Sequence, residues 1–238
     1  MTTSNSTDFS VTRDDLIKGA LRLCGALGVG ETPSPDQVSE AAVALNMLVK
    51  SWEADGMPLW ARTDYYLPLT LGTLGYTFGL GQTIPIPKPL KVLQAVLHDT
   101  SSNVDIPMRI ITKDEYLRLG NKTIKGQPIQ IYYDPQRDSG TLYVFPPADQ
   151  TSVTYKQIRL TYQKPFEDFD IATDTPDFPQ EWYEALKYGL ATRLAGEYGI
   201  IIEDRNQLLK EAAAIKEGAL GFGGEEGSFF ITADYRKY

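Results

Sequence analysis

The sequence predicts an α+β protein: a four-helix module of two helical hairpins, an inserted antiparallel β sandwich or barrel-like domain, and an extended C-terminal arm. Three observations predict it. Apolar residues recur at helical spacing near both ends of the chain, short Thr-, Tyr-, Ile- and Val-rich runs separated by turn residues fill the middle, and a Gly-rich stretch leads into an aromatic tail. The expected boundaries are 1–62 for the first hairpin, 63–165 for the β insertion, 166–220 for the second hairpin and 221–238 for the arm.

Thr12 is placed to cap the first helix, with Asp14 and Asp15 favoured at its positive end. Leu16, Ile17, Ala20, Leu23, Cys24 and Leu27 follow at helical spacing, and Gly28 and Gly30 supply the stop. Ser34-Pro35-Asp36-Gln37 is a second start signal, with Ser34 as cap, Pro35 in the first turn and Gln37 completing a capping-box pattern. Val38, Ala41, Ala42, Leu45, Leu48, Val49 and Trp52 then trace one apolar face until Gly56.

After Gly56 strands are expected near Tyr65–Thr70, Tyr76–Phe78, Lys91–His98, Ile106–Ile111, Ile129–Tyr133, Thr141–Phe145 and Val153–Gln163. A short helix around Asp114–Leu119, capped by Thr112, interrupts them, and Asp138-Ser139-Gly140 reads as a hairpin turn. The long uncharged run from Tyr65 to Pro87 is broken by Pro68, Pro85, Gly72, Gly75, Gly79 and Gly81, so it reads as strands and turns and not as a membrane span. Met1 to Ser10 lacks the pattern of a signal peptide. Helical grammar returns at Asp177-Phe178-Pro179-Gln180-Glu181, with Trp182, Ala185, Leu186, Leu190, Ala191, Leu194 and Ala195 on one helix. A fourth helix spans about Glu203 to Gly218, with Leu208, Leu209, Ala212 and Ile215 predicted on one face.

Composition excludes more than it assigns. With 238 residues, the chain has one cysteine, Cys24, and one histidine, His98. These counts remove an internal disulfide, Cys-rich zinc sites and most Ser-His-Asp, Cys-His and multi-His metal chemistry. Cys24 is expected in the core and His98 at a strand end. Carboxylate chemistry survives, with Asp114 and Glu115, Glu181 and Glu184, or Glu225 and Glu226 as acid and partner of a glycoside hydrolase. First-turn placement or linker solubility explains each pair more simply. No cofactor is implied, since Gly72, Gly75, Gly79 and Gly81 do not build a phosphate loop.

The net charge of −8 disfavours wholesale binding to nucleic acid. Its distribution is uneven: residues 1–63 carry −3, 64–164 carry +3, and 165–238 carry −8. The acidic third is either a solvated face or a surface that repels DNA. Glu203, Asp204, Glu211 and Glu217 are the candidates for the second role. Arg109, Lys113, Arg118, Lys122 and Lys125 make a locally basic stretch suited to solvent, an acidic partner or phosphates. In the tail, Phe222, Phe229, Phe230, Ile231, Tyr235 and Tyr238 are too apolar for an ordinary terminus. They suit a strand pairing with the chain's own β domain, or an arm that docks on a neighbouring subunit or partner.

The segment Thr12-Arg13-Asp14-Asp15-Leu16-Ile17-Lys18-Gly19-Ala20-Leu21 and its continuation Ala44-Leu45-Asn46-Met47-Leu48-Val49-Lys50-Ser51-Trp52-Glu53-Ala54-Asp55-Gly56 resemble the head-to-tail adaptors of short-tailed phages, of the packaged-DNA-stabilisation and tail tubular protein A type. Similar blocks recur in order at 107–116, at Tyr132-Tyr133-Asp134-Pro135, at 140–146 and at 179–191, so the resemblance spans about 11–217. It implies a structural connector and not an enzyme. Such adaptors form a ring, usually of twelve copies, beneath the portal protein in the neck of the virion, after assembly in the host cytoplasm. The implied partners are the portal, the nozzle, tail fibres or tailspikes and neighbouring copies, with genome DNA passing through unbound. The competing expectation is a carboxylate-dependent peptidoglycan hydrolase or carbohydrate-binding tail module.

Overall fold

The computed structural model describes residues 5–55 and 59–222. Along the chain the elements are α1 (Arg13–Leu23), α2 (Pro35–Asp55), β1 (Arg62–Pro68), β2 (Gly75–Phe78), β3 (Lys91–Asp99), β4 (Val104–Pro107), β5 (Arg109–Ile110), α3 (Lys113–Arg118), β6 (Gln130–Pro135), β7 (Gly140–Phe145), α4 (Gln150–Tyr155), β8 (Lys156–Gln163), α5 (Tyr183–Leu194) and α6 (Ile202–Phe222). The fold class is α+β. The chain divides into two units, one made of Met1–Leu59 and Glu167–Tyr238, the other of Trp60–Phe166.

In the helical unit, capping chemistry sets the starts. The Asp15 amide donates to Thr12 Oγ1 at 3.2 Å while the Asp15 carboxylate accepts from the Thr12 amide, satisfying two amides that have no partner within the helix. Ser34 and Gln37 do the same for α2, at 3.2 and 2.9 Å. Helix α5 packs on α1, α2 and α6. A methyl group at Gly189 would lie 3.0 Å from both Leu48 Cδ2 and Trp52 Cζ2, so glycine is what lets α2 and α5 approach this closely. Leu45, Leu48, Val49, Leu186, Leu190 and Leu194 are buried at this contact. Cys24 is buried, with Sγ 3.0 Å from the Ala191 carbonyl on α5, and burial pushes its thiol up to about 11. It serves packing, since the reactive species is the thiolate.

A segment beyond β8 is strapped across this unit. Asn46 Nδ2 donates to the Phe169 carbonyl at 3.2 Å, and the Phe169 amide returns a bond to Asn46 Oδ1 at 2.9 Å. The amides of Asp170 and Ile171 both donate to one Asp174 carboxylate oxygen at 2.7 Å, and the Arg13 amide donates to the Asp174 carbonyl.

In the β unit, two four-stranded sheets run in the orders β1-β8-β3-β4 and β2-β7-β6-β5. Alternation does the sorting: in β7, Gly140, Leu142 and Val144 point inward, and in β8 Ile158, Leu160 and Tyr162 do. Leu67, Leu97, Ile158 and Leu160 of one sheet meet Tyr76, Ile131, Leu142 and Val144 of the other in a shared core. The ends of the unit meet, because Arg62 pairs with Gln163 and the Lys164 amide donates to the Ala61 carbonyl at 3.1 Å. Residues 60–166 expressed alone are therefore expected to give a dispersed amide spectrum and one cooperative unfolding transition. A collapsed spectrum would show that these sheets need the rest of the chain.

The structure corrects several expectations. The single strand expected over Ile106–Ile111 is two, β4 in one sheet and β5 in the other. Pro107 lacks the amide to continue a ladder, and Met108 and Ile111 donate to Ala95 and Ile131 on opposite sheets. The insertion is not wholly antiparallel, because β5 pairs with β6 in parallel. Residues 153–155, expected in the last strand, are helical: the Asp149 carboxylate accepts the Ser152 amide at 2.8 Å and caps α4. Helix α6 runs on to Phe222, four residues beyond the expected end at Gly218, so Gly221 and Phe222 belong to it and not to the arm. The buried Ala219 anchors that last turn against the roughly 1 kcal/mol that a helical glycine costs.

Candidate functional site

Among the described residues, helix α6 carries the channel and interface candidates that the sequence singled out. A residue advances about 100° around a helix, so Leu208, Ala212, Ile215 and Ala219 form one face. Leu208 and Ala219 are buried there, and Ala212 and Ile215 half-buried. Leu209, expected on that face, is 46% exposed, because it sits a full residue step away from Leu208. It falls instead in a second apolar stripe with Ile202, Ala213 and Leu220, at spacings of seven, eleven and eighteen residues. Ile202 is 71% exposed and Leu220 42%, so this stripe faces solvent. The sequence reading missed it by folding both apolar stripes into one.

The acidic candidates occupy the remaining arc. Glu203 and Glu217 lie in one stripe, with Lys210 and Ala214 between them, and Asp204 and Glu211 lie in the next. All four carboxylates are exposed. The Gln207 amide donates to Glu211 Oε1 at 3.0 Å, which holds that side chain along the helix. Glu203 and Asp204 stand in the first turn, where the helix dipole favours them. The far half of α6 is tied to α2: Lys216 Nζ is 3.1 Å from Asp55 and 4.9 Å from the Trp52 ring centroid.

Phe222 ends α6 and is 77% exposed. The other tail candidates, Phe229, Phe230, Ile231, Tyr235 and Tyr238, lie outside the described residues, as do Glu225 and Glu226. On α2, Val43 and Met47 are 54% and 60% exposed.

Among the carboxylate candidates, Glu115 has a structural task. Glu115 accepts the Thr112 amide at 2.9 Å, completing the cap of α3, and pairs with Arg109. That cap bond, with Arg109 and Arg118 nearby, holds the Glu115 carboxyl below its usual range, the opposite of what a general acid needs. Glu181 and Glu184 are exposed at the entry to α5. His98 Nδ1 lies 2.8 Å from Asp105, whose other oxygen holds Arg159 at 2.9 Å. Within the basic stretch, Lys122 lies over the Tyr116 ring at 5.0 Å and donates to the Leu119 carbonyl. Among the described residues no group of three or more His, Cys, Asp or Glu side chains is arranged to hold a metal ion. Among them, too, no helix is long and apolar enough to cross a membrane.

The model of the family described as SU10 adaptor protein matches residues 11–221. The chain belongs to that family. It is a bacteriophage structural protein, a head-to-tail connector, and the matched span runs from α1 through the β unit to α6. Among curated proteins, none matches the chain.

Proposed function

We propose that the adaptor assembles as a ring of about twelve copies beneath the portal, extends the DNA channel, helps retain packaged DNA and offers a platform for the nozzle and the tail fibres or tailspikes. The observation that carries this reading is the solvent-facing surface of α6, an apolar stripe beside an arc that carries four exposed carboxylates. A closed ring is a heterologous assembly, so each copy needs two different adhesive surfaces. Ile202, Leu209 and Leu220 supply an apolar candidate for one, and Val43 and Met47 on α2 a candidate for the other. The acidic arc suits a channel wall, because DNA is held through counterion release by cations and acids offer none.

The test is assembly on purified portal, followed by sedimentation and mass measurement. Wild-type adaptor is expected to add a ring to the portal, and Leu209→Glu with Leu220→Glu to lower ring occupancy at least tenfold with an unchanged thermal midpoint. A bare portal with the wild-type chain, or normal rings from the double variant, would discard the reading.

A further inference from the structure

A groove of about 620 Å³ opens on the outer side of α2, entirely within the helical unit. Pro35, Val38, Ala42 and Val43 form its apolar wall, and Asn46 and Phe169 its floor. Val38 and Ala42 were expected to be core residues of α2, yet both are only half-buried. The floor is preformed, since the two Asn46–Phe169 bonds fix the strap against the helix. One edge is acidic: the strap reads Glu167-Asp168-Phe169-Asp170, and Glu167, Asp168 and Asp170 are exposed. The cations nearby are already engaged. Arg13 pairs with Asp14 at 2.9 Å and donates to the Asp170 carbonyl, while Lys50 pairs with Asp168 at 2.9 Å and with Glu53.

We propose that this groove receives the C-terminal arm of a neighbouring copy, aromatic residues of 229–238 filling the apolar wall and Arg236 and Lys237 facing the acidic strap. Three features commit to that occupant. The arm holds Phe229, Phe230, Ile231, Tyr235 and Tyr238 within ten residues, and its two cations sit between the two tyrosines. Arg236 and Lys237 are opposite in charge to the groove edge, and with Asp234 the side chains of 229–238 sum to +1, while Glu225 and Glu226 lie in the linker before them. The sixteen residues after Phe222 span up to roughly 53 Å when extended, a reach well beyond the end of α6. An arm on one copy and a groove on the next also make a heterologous contact, as a ring requires. The proposal rests on the ring reading, and adds the element that latches adjacent copies.

Photo-cross-linking of the full chain tests it, with Ser39, an exposed residue at the groove, replaced by benzoylphenylalanine. Isotope-labelled and unlabelled copies are mixed, with and without portal, irradiated and digested. The expected product joins the peptide containing position 39 to one from 229–238, with half of the joined pairs in an equimolar mixture combining labelled and unlabelled peptides. Val43→Glu, or Arg236→Glu with Lys237→Glu, is expected to reduce it at least fivefold while the thermal midpoint holds. Products joining peptides of one copy alone would overturn the neighbour assignment, and products without 229–238 would overturn the groove assignment. Rings that assemble on the portal without this cross-link overturn the arm proposal and leave the ring reading standing. The cross-link without rings does the reverse.

Discussion

Replacing Trp52 with alanine is expected to destabilise the helical unit by about 4 kcal/mol, within the range of roughly 3–5 for deleting a large buried aromatic. Trp52 is 9% exposed and meets three different partners. Trp182 lies edge-on at 5.7 Å and Phe178 at 6.5 Å, and Lys216 reaches over the ring from α6. The approach of α2 to α5 at Gly189 is so close that backbone cannot slide in to fill the void. The indole therefore joins α2, the entry to α5 and the middle of α6. Trp52→Phe should recover about half of the loss, since it restores an aromatic contact but not the full volume. The measurement is hydrogen exchange of α2 and α5 amides alongside urea unfolding. A loss below about 1 kcal/mol would show that the pocket collapses onto the cavity, and that Trp52 is not what holds these helices together.

That role was legible in sequence because Trp52 sits on an apolar stripe of helical period, with Trp182 on another. The same holds for the starts of α1, α2 and α3, where Thr12, Ser34 and Thr112 each carry an acid or amide three residues on. Capping is local chemistry, written within four residues. What the pattern could not carry was competition between apolar positions. Leu208 and Leu209 are equally apolar neighbours, and which one is buried depends on where α5 lies. Val38 and Ala42 fit the period of α2 as well as Leu45 does, yet the strap from 167–174 buries its own Phe169 and leaves them beside an open groove. That strap is held by the Asn46 side chain, which bonds the Phe169 backbone 123 residues away, and by the Arg13 amide, which donates to the Asp174 carbonyl. No periodicity announces such a contact.

The β unit shows the same division. Strand-forming composition located β7 and most of β8, whereas the split at Pro107 into strands of different sheets did not follow from a continuous apolar run. Pro107 was visible and is the physical cause, but an edge strand also tolerates proline. Sequence alone left those two outcomes equal. The parallel pairing of β5 with β6 follows from the split: once Met108 crosses from one sheet to the other, Arg109–Ile110 meets β6 running in the same direction.

Reversing the acidic arc of α6 is the second large effect expected. With Glu203, Asp204, Glu211 and Glu217 changed to lysine, each copy presents four new cations where the native helix repels phosphate. If all four meet phosphates, the logarithm of DNA affinity should fall with log salt by about 3.6 per copy, roughly a hundredfold between 50 and 200 mM. Portal–adaptor assemblies carrying the reversal should retain DNA at 50 mM salt and release it at 200 mM, and release should be slower than wild type at both. Position within the helix separates this from simple destabilisation. Glu203 and Asp204 lie in the first turn, so their reversal also costs about 0.3–1 kcal/mol each through the helix dipole. Glu211 and Glu217 lie beyond it, and Glu211→Lys with Glu217→Lys is the variant in which slowed release reports contact with DNA. Lys210 supplies the opposite control, because it interrupts the Glu203–Glu217 stripe; Lys210→Glu should weaken residual retention. If the double reversal leaves release rates and their salt dependence unchanged, α6 does not face the channel, and its acids only keep an outer surface solvated.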